Sequence, residues 1–199
     1  MPYRLALFAV SFLPAVAMGM TVRYEVDPAH TYPSFEADHM GGLSTWRGKF
    51  NATRGEVSLD RAAGTGSVTI EVDIASIDFG HDEMNRHAIA ADLFDAADHP
   101  RANYTGTLAG FRDGAPTRVE GKLTLRGVMH PLALDIVSFK CMPHPMLKRE
   151  VCGADARAVL QRDAFGISAG KDHGFDMRVA LRIQVEAVQV ASAPAVRAD

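Results

Sequence analysis

Apolar and polar residues alternate one by one along most of this chain. Between Asp27 and Phe50 (DPAHTYPSFEADHMGGLSTWRGKF), Pro33, Phe35, Ala37 and His39 share one parity, and Tyr32, Ser34, Glu36 and Asp38 share the other. After Gly41-Gly42, the set Trp46, Gly48, Phe50 and Ala52 opposes Arg47, Lys49, Asn51 and Thr53. Successive side chains of a strand point to opposite faces, so this stretch reads as strand, turn, strand. Val22, Tyr24 and Val26 predict a short strand before it. The strand after the turn is expected to continue through Val57 and Leu59 to a turn at Gly64-Thr65-Gly66. Val68, Ile70, Val72 and Ile74 then alternate with Thr69, Glu71 and Asp73, the cleanest strand pattern in the chain.

The pattern changes between Asp82 and Asp92. Alternation stops, Ala is frequent, and Asn85, Ile89 and Leu93 fall on helical spacing, which predicts one short helix. Asp78 or Gly80 is expected near its start, with Asp82 and Glu83 in the first turn, where carboxylates complement the helix dipole. Beyond His99-Pro100 the period of two returns, with Ala102, Tyr104, Gly106 and Leu108 on one face. Val119, Gly121, Leu123 and Leu125 predict another strand, and Leu132, Leu134 and Ile136 the next, joined through Arg126-Gly127-Val128-Met129-His130-Pro131. Ala156, Ala158 and Leu160 lead to Arg162-Asp163, read as a structural salt bridge or turn. A last strand carries Met177, Val179, Leu181, Ile183, Val185 and Ala187.

Eight or nine such strands with a single helix, no βαβ rhythm and no internal repeat describe an all-β protein built on one antiparallel sheet. Closure into a barrel would remove the sheet edges, and two packed sheets would accommodate the same strands. The 199 residues, 47% hydrophobic, suit one domain with a substantial core. A net charge of −3 with scattered cations gives no reason to expect nucleic acid as partner.

Residues 1–19 have the features of a secretory signal peptide: Arg4, an apolar run from Leu5 to Val16, and small residues at Ala15 and Ala17. No later segment is apolar for the roughly 20 residues that a spanning helix needs, so stable membrane insertion is not expected. The domain is placed at 22–190, and 191–199 is read as a disordered tail. Cys141 and Cys152, the only cysteines, fall in one loop of the exported part, where a disulfide is the default. A metal site with His144 is the weaker reading, and the eight histidines form no H-x-H or H-x-x-x-H pair. His39 shares the parity of Phe35 and Ala37. It would either orient a ligand head group or hydrogen-bond at a strand end. Asp78, Asp82, Asp92, Asp95 and Asp98 are read as caps and turns. The chain has no G-x-S-x-G elbow and no phosphate-binding glycine loop.

Several landmarks occur in an order and spacing that resemble the YceI-like, polyisoprenoid-binding family. They are Asp27-x-x-His30-Thr31, Phe35, His39-Met40, Gly48-x-Phe50, Ser76-Ile77-Asp78, His87, Asp92-Leu93-Phe94-Asp95, His99-Pro100, Gly121-x-Leu123-Thr124-Leu125-Arg126-Gly127-Val128 and Arg162-x-x-Phe165-Gly166. The resemblance covers about 22–190 and implies a lipocalin-like, eight-stranded antiparallel barrel with a helical cover, exported to the bacterial periplasm. It implies a carrier or sequesterer of a long apolar molecule (a polyisoprenoid, an isoprenoid quinone or a fatty-acid derivative), with no cofactor, no catalysis and a homodimer left open. The candidate ligand contacts are Phe35, His39, Trp46, Phe50, Ile70, Leu93, Phe94, Tyr104, Leu125, Phe165 and Leu181, with His39 and Tyr104 expected near the mouth. Two positions depart from the family pattern. The helix reads Asn85-Arg86-His87-Ala88 where Asp-x-His-Leu is usual, and Phe79 replaces a small residue or Thr. The alternatives are an envelope enzyme or redox partner acting on a bound quinone, with a histidine moving the proton, and an unliganded structural protein with a filled barrel.

Overall fold

The computed structural model describes residues 19–191. Apart from Gly19 and Ala191, the segments read as leader and tail lie outside the described residues. Twelve strands and one helix follow in order: β1 Val22–Val26, β2 Tyr32–His39, β3 Ser44–Phe50, β4 Thr53–Asp60, β5 Thr65–Asp73, β6 Ile77–Asp78, α1 Asp82–Ala88, β7 Arg101–Ala109, β8 Arg118–Leu125, β9 Val128–Pro131, β10 Leu134–Pro143, β11 Glu150–Gln161 and β12 Arg178–Gln189.

All neighbouring strands pair antiparallel, and the ring closes because the long β12 pairs with β1 at one end and with β2 at the other. β1 and β2 are thus two halves of one interrupted strand. The same holds for β3 with β4, β5 with β6, and β9 with β10, which leaves an eight-stranded up-and-down barrel. The barrel form is therefore the observed one, and the two-sheet alternative is not.

The interruptions have local causes. Between β1 and β2, the Thr31 hydroxyl donates to the Glu186 carbonyl and accepts from the Glu186 N–H, both at 3.2 Å, which keeps β12 paired while the opposing backbone turns away. The strand expected to run from Trp46 to Leu59 breaks at Asn51-Ala52. There the Asn51 N–H bonds the Ser76 carbonyl and the Ala52 N–H bonds the Ser76 hydroxyl, both at 3.0 Å, in place of ladder partners.

The helix is shorter than the spacing suggested, ending at Ala88. Its N-cap is His81, whose ring nitrogen accepts from the Met84 N–H at 3.4 Å. Asp78, one of the expected caps, instead accepts from Gly80 N–H at 2.7 Å in the preceding turn.

Asp27 and His30 pair in the β1–β2 connection at 2.7 Å. That hydrogen bond raises the His30 pKa above its ordinary 6.5 and lowers that of Asp27 below 3.8. The pair's contribution is fully present below the ordinary imidazole range as far as His30 is concerned, and it fades as pH rises through the raised His30 value. It also fades as pH falls through the lowered Asp27 value. An NMR titration should give His30 a midpoint above 6.5, and Asp27→Asn should return that midpoint toward the free-imidazole value.

Cys141 and Cys152 form the expected disulfide, but they do not sit in a loop. They are directly opposed residues of β10 and β11, with Cα atoms 4.0 Å apart. The loop proper is short and is held by His144, whose Nδ1 accepts from Met146 and Leu147 N–H at 3.2 and 3.1 Å. Cys141→Ser with Cys152→Ser should lower stability by about 2–3 kcal/mol in urea unfolding, the range for a closed loop of this size.

Candidate functional site

The meander places four connections at one end of the barrel: the β2–β3 turn, the α1 segment, the β8–β9 turn and the β11–β12 connection. The two ends are filled differently. At the end away from α1, Tyr24, Leu59, Leu108 and Val119 interlock in a solid core, and Tyr24 is only 1% exposed. Its hydroxyl donates to Glu150, which also pairs with Arg61 at 2.8 Å. Burial, with the Glu150 carboxylate, pushes the Tyr24 pKa up to about 12. Among the described residues the one grouping with metal-ligand proximity is Cys141, Glu150 and Cys152. It consists of two disulfide sulfurs and this already bonded carboxylate.

The end under α1 is hollow. A cavity of about 480 Å³ lies there, lined almost entirely by apolar side chains. One wall is aromatic. Phe35 sits 5.8 Å from Phe50 and 5.5 Å from Phe79, Phe50 sits 5.8 Å from Phe94, and Trp46 sits 6.2 Å from Phe79. Gly48 makes that packing possible, since a Cβ there would lie 2.6 Å from the Phe35 ring. With Ser34, Asp38, His39, His87, Tyr104 and Arg162 as the polar members of the lining, most of the rest is aliphatic, from Ile70, Val72, Leu123, Leu125, Leu160, Val179, Leu181 and Ile183. These residues follow the strand parity, as Phe35 faces Leu181 and Ala37 faces Val179 in the β2–β12 register.

Ten of the eleven residues singled out in the sequence line this cavity: Phe35, His39, Trp46, Phe50, Ile70, Leu93, Phe94, Tyr104, Leu125 and Leu181. Phe165 does not. It is 3% exposed and packs in a core cluster with Ile74, Ala102, Leu125 and Ile167, its ring edge-on to His130 at 5.0 Å. The position of Tyr104 also differs from expectation. It belongs to the filled end's cluster and forms part of the cavity floor. Its hydroxyl donates to the Leu132 carbonyl at 2.9 Å, and burial raises its pKa, with Glu120 adding to the effect. A phenol so placed is not a mouth contact. His39 does lie at the mouth, stacked on Trp46 at 4.1 Å and edge-on to Phe175 at 5.6 Å, with Nδ1 3.4 Å from the Ser44 hydroxyl.

Sequence reasoning missed Phe79, Met84, His87, Arg162 and Phe175 as lining residues. Three of them lie in connections, where no period marks the inward side, and Met84 and His87 lie on a helix of only seven residues. Of the salt bridge or turn expected at Arg162-Asp163, the turn is what forms: the two residues open a 3-10 helix, Arg162–Phe165, and do not pair with each other. Asp163 pairs with Lys171 at 2.7 Å, while Arg162 donates to the carbonyls of Ile167 at 3.0 Å and Ala169 at 2.6 Å. Burial lowers the Arg162 pKa, against the raising influence of Asp163, Asp38 and Asp176.

The two departures noted above also find their places. Asn85 accepts from the Phe79 N–H at 2.8 Å and donates to Asp78 at 3.5 Å, a donation that a carboxylate at position 85 could not make. Buried Ala88 packs in the same cluster as Phe79, so a smaller helix residue accompanies a larger ring at position 79.

A family model of the YceI-like domain matches residues 24–187, nearly the whole barrel. The chain belongs to the YceI-like family. A UPF0312 protein of Vibrio cholerae is 32% identical over 130 residues, covering 65% of this chain and 68% of that protein. In fold the barrel is similar to BcnA of Burkholderia cenocepacia, with a TM-score of 0.64 at 22% identity over 81% of this chain and 98% of the other. It is similar as well to a polyisoprenoid binding domain from Saccharophagus degradans, with a TM-score of 0.57 at 15% identity over 85% and 99% of the two chains. No helix among the described residues of this YceI-like barrel is long and apolar enough to cross a membrane.

Proposed function

We propose that this protein is a binding module that buries a long apolar molecule in the hollow end of its barrel and carries or sequesters it through the aqueous space of the bacterial envelope. The observation that carries this reading is the 480 Å³ apolar cavity under α1, set against a solid core at the other end of the same barrel. Ligand pockets fall between about 300 and 1,000 Å³ and are lined mainly by apolar and aromatic side chains. Each methylene buried there contributes about 0.8 kcal/mol, so a long chain accumulates affinity without directional contacts. The fold shared with a domain described as polyisoprenoid binding supports a long apolar ligand, and the candidates of that kind are polyisoprenoids, isoprenoid quinones and fatty-acid derivatives. The leader-like residues 1–19 support export to the periplasm.

α1 and the β11–β12 connection flank the open cavity end, and Met84, His87, Arg162, Gly170 and Phe175 from these segments belong to the lining. Ligand entry is assigned to this end because the opposite end is filled. The test is titration of delipidated protein with a fluorescent apolar probe such as N-phenyl-1-naphthylamine, followed by displacement with a polyprenol, a ubiquinone and a long-chain fatty acid. Saturable binding near one probe per chain, displaced by at least one of the three, is expected. No saturable binding would sink the carrier reading.

A further inference from the structure

At the open cavity end, two turns carry apolar side chains that take no part in the lining. The β2–β3 turn exposes Met40 (56%) and Leu43 (73%), and the β8–β9 turn leads into Val128 (38%) and Met129 (59%). Each turn begins at the cavity, because His39, which ends β2, and Leu125, which ends β8, belong to its lining. In the closed ring of strands the two hairpins stand on opposite sides of the mouth.

Both turns are pinned. Met40 has φ 55°, followed by Gly41 at 65° and Gly42 at 96°. A side-chain-bearing residue keeps that left-handed conformation only where its surroundings enforce it. The Asp38 carboxylate does so, accepting from the N–H groups of Gly41 at 3.0 Å, Gly42 at 2.6 Å and, in the β11–β12 connection, Asp176 at 2.9 Å. The β8–β9 turn repeats the arrangement with Arg126 at φ 49° and Gly127 at 72°. The Arg126 guanidinium donates to the Leu93 carbonyl and lies 4.0 Å from Asp95. Apolar tips held outward in this way lose little freedom on meeting an apolar phase.

The charges beside the rim narrow the choice of surface. Arg86 pairs with Glu83, Lys171 with Asp163, and Arg162 donates to backbone carbonyls. Asp82, Asp92, Asp98 and Asp172 are exposed, with no ion pair among the described residues. Anionic head groups would repel such segments.

We propose that these two turns are a docking rim by which the protein settles reversibly, mouth first, on a lipid surface of zwitterionic head groups. This rests on the binding reading above. An apolar tail that left the mouth into water would re-expose every methylene, whereas a seated rim passes it from one apolar phase to another. Single exposed apolar residues are ordinary, but these four flank the opening of the cavity. The apolar tip at the other end, Met146 and Leu147, lies at the filled end and provides the comparison.

The test is flotation of the protein, isolated from the organism that makes it, with phosphatidylcholine vesicles at millimolar lipid. The wild type should float, and Leu43→Ser with Met129→Ser should lower its partition coefficient at least about tenfold. Met146→Ser with Leu147→Ser should change nothing, and enrichment in phosphatidylglycerol should weaken binding at low salt. Rim variants that float as the wild type does overturn the proposal, as does loss of flotation in the Met146, Leu147 variant. Failure of the wild type to float overturns it too, including the case where sedimentation shows a dimer that the rim variant dissolves, which assigns the rim to a second copy. In each of these cases, uptake of N-phenyl-1-naphthylamine in solution keeps the carrier reading intact, since none of the four residues lines the cavity. A wild type that takes up no probe means that the carrier reading has failed, and the docking role with it.

Discussion

Replacing Phe50 by Asp is expected to weaken retention of an apolar ligand by about 100-fold or more, equivalent to about 2.7 kcal/mol. The Phe50 ring stands between Phe35 and Phe94 at 5.8 Å from each and lines the cavity. A carboxylate at that place has no cation to pair with in the aromatic wall. It would either remain ionised by drawing water into the cavity or take up a proton at a cost in free energy, and in both cases the apolar surface that wraps the tail is lost. Displacement of the fluorescent probe measures the loss, and circular dichroism establishes that the barrel persists. Ala102→Trp tests the same point without a charge. Ala102 is 7% exposed and lines the cavity, so an indole there fills space that the ligand would take. If both variants bind as the wild type does, the cavity is not the binding site.

The second large effect is on stability, at the opposite end. Tyr24→Ala should destabilise the barrel by about 3–5 kcal/mol, the range for removing a fully buried aromatic ring. Tyr24 is 1% exposed within the solid cluster and covers Glu150, which pairs with Arg61. Leu181→Ala, whose side chain already faces open space, should fall toward the low end of about 2 kcal/mol for such truncations. Urea midpoints measure both. Equal losses would show that the two ends are packed alike, contrary to a barrel that is solid at one end and hollow at the other.

The inward face of nearly every strand was legible, because the pleat fixes side-chain direction with a period of two. Phe35, Trp46, Phe50, Ile70, Leu125 and Leu181 all project inside for that reason. Periodicity does not report depth along a strand or what lies across the barrel. Tyr104 was placed on the correct face but at the wrong level, since its position on the floor follows from the pairing Ile70–Tyr104–Leu123 and from Leu132. For the same reason the hollow end could not be told from the filled one. Tyr24 and Leu59 interlock, whereas small Ala37 and Ala102 help leave the space open, and both sets share the inward parity. The disulfide was legible as chemistry, while its place in paired strands depended on the register of β10 against β11. Arg162 and Phe175 lie in a connection where no pattern marks the inward side. The Phe165 motif pointed to a ligand contact, yet its ring closes the core beside the cavity.

Native mass spectrometry of the protein purified without detergent from the organism that makes it, followed by denaturing release and lipid identification, tests the central claim most directly. The expected result is a one-to-one adduct that releases a single-chain apolar molecule, lost in Phe50→Asp and retained in the Cys141→Ser, Cys152→Ser variant if that variant stays folded. A bare polypeptide mass from folded protein that also fails to take up any apolar probe would contradict it.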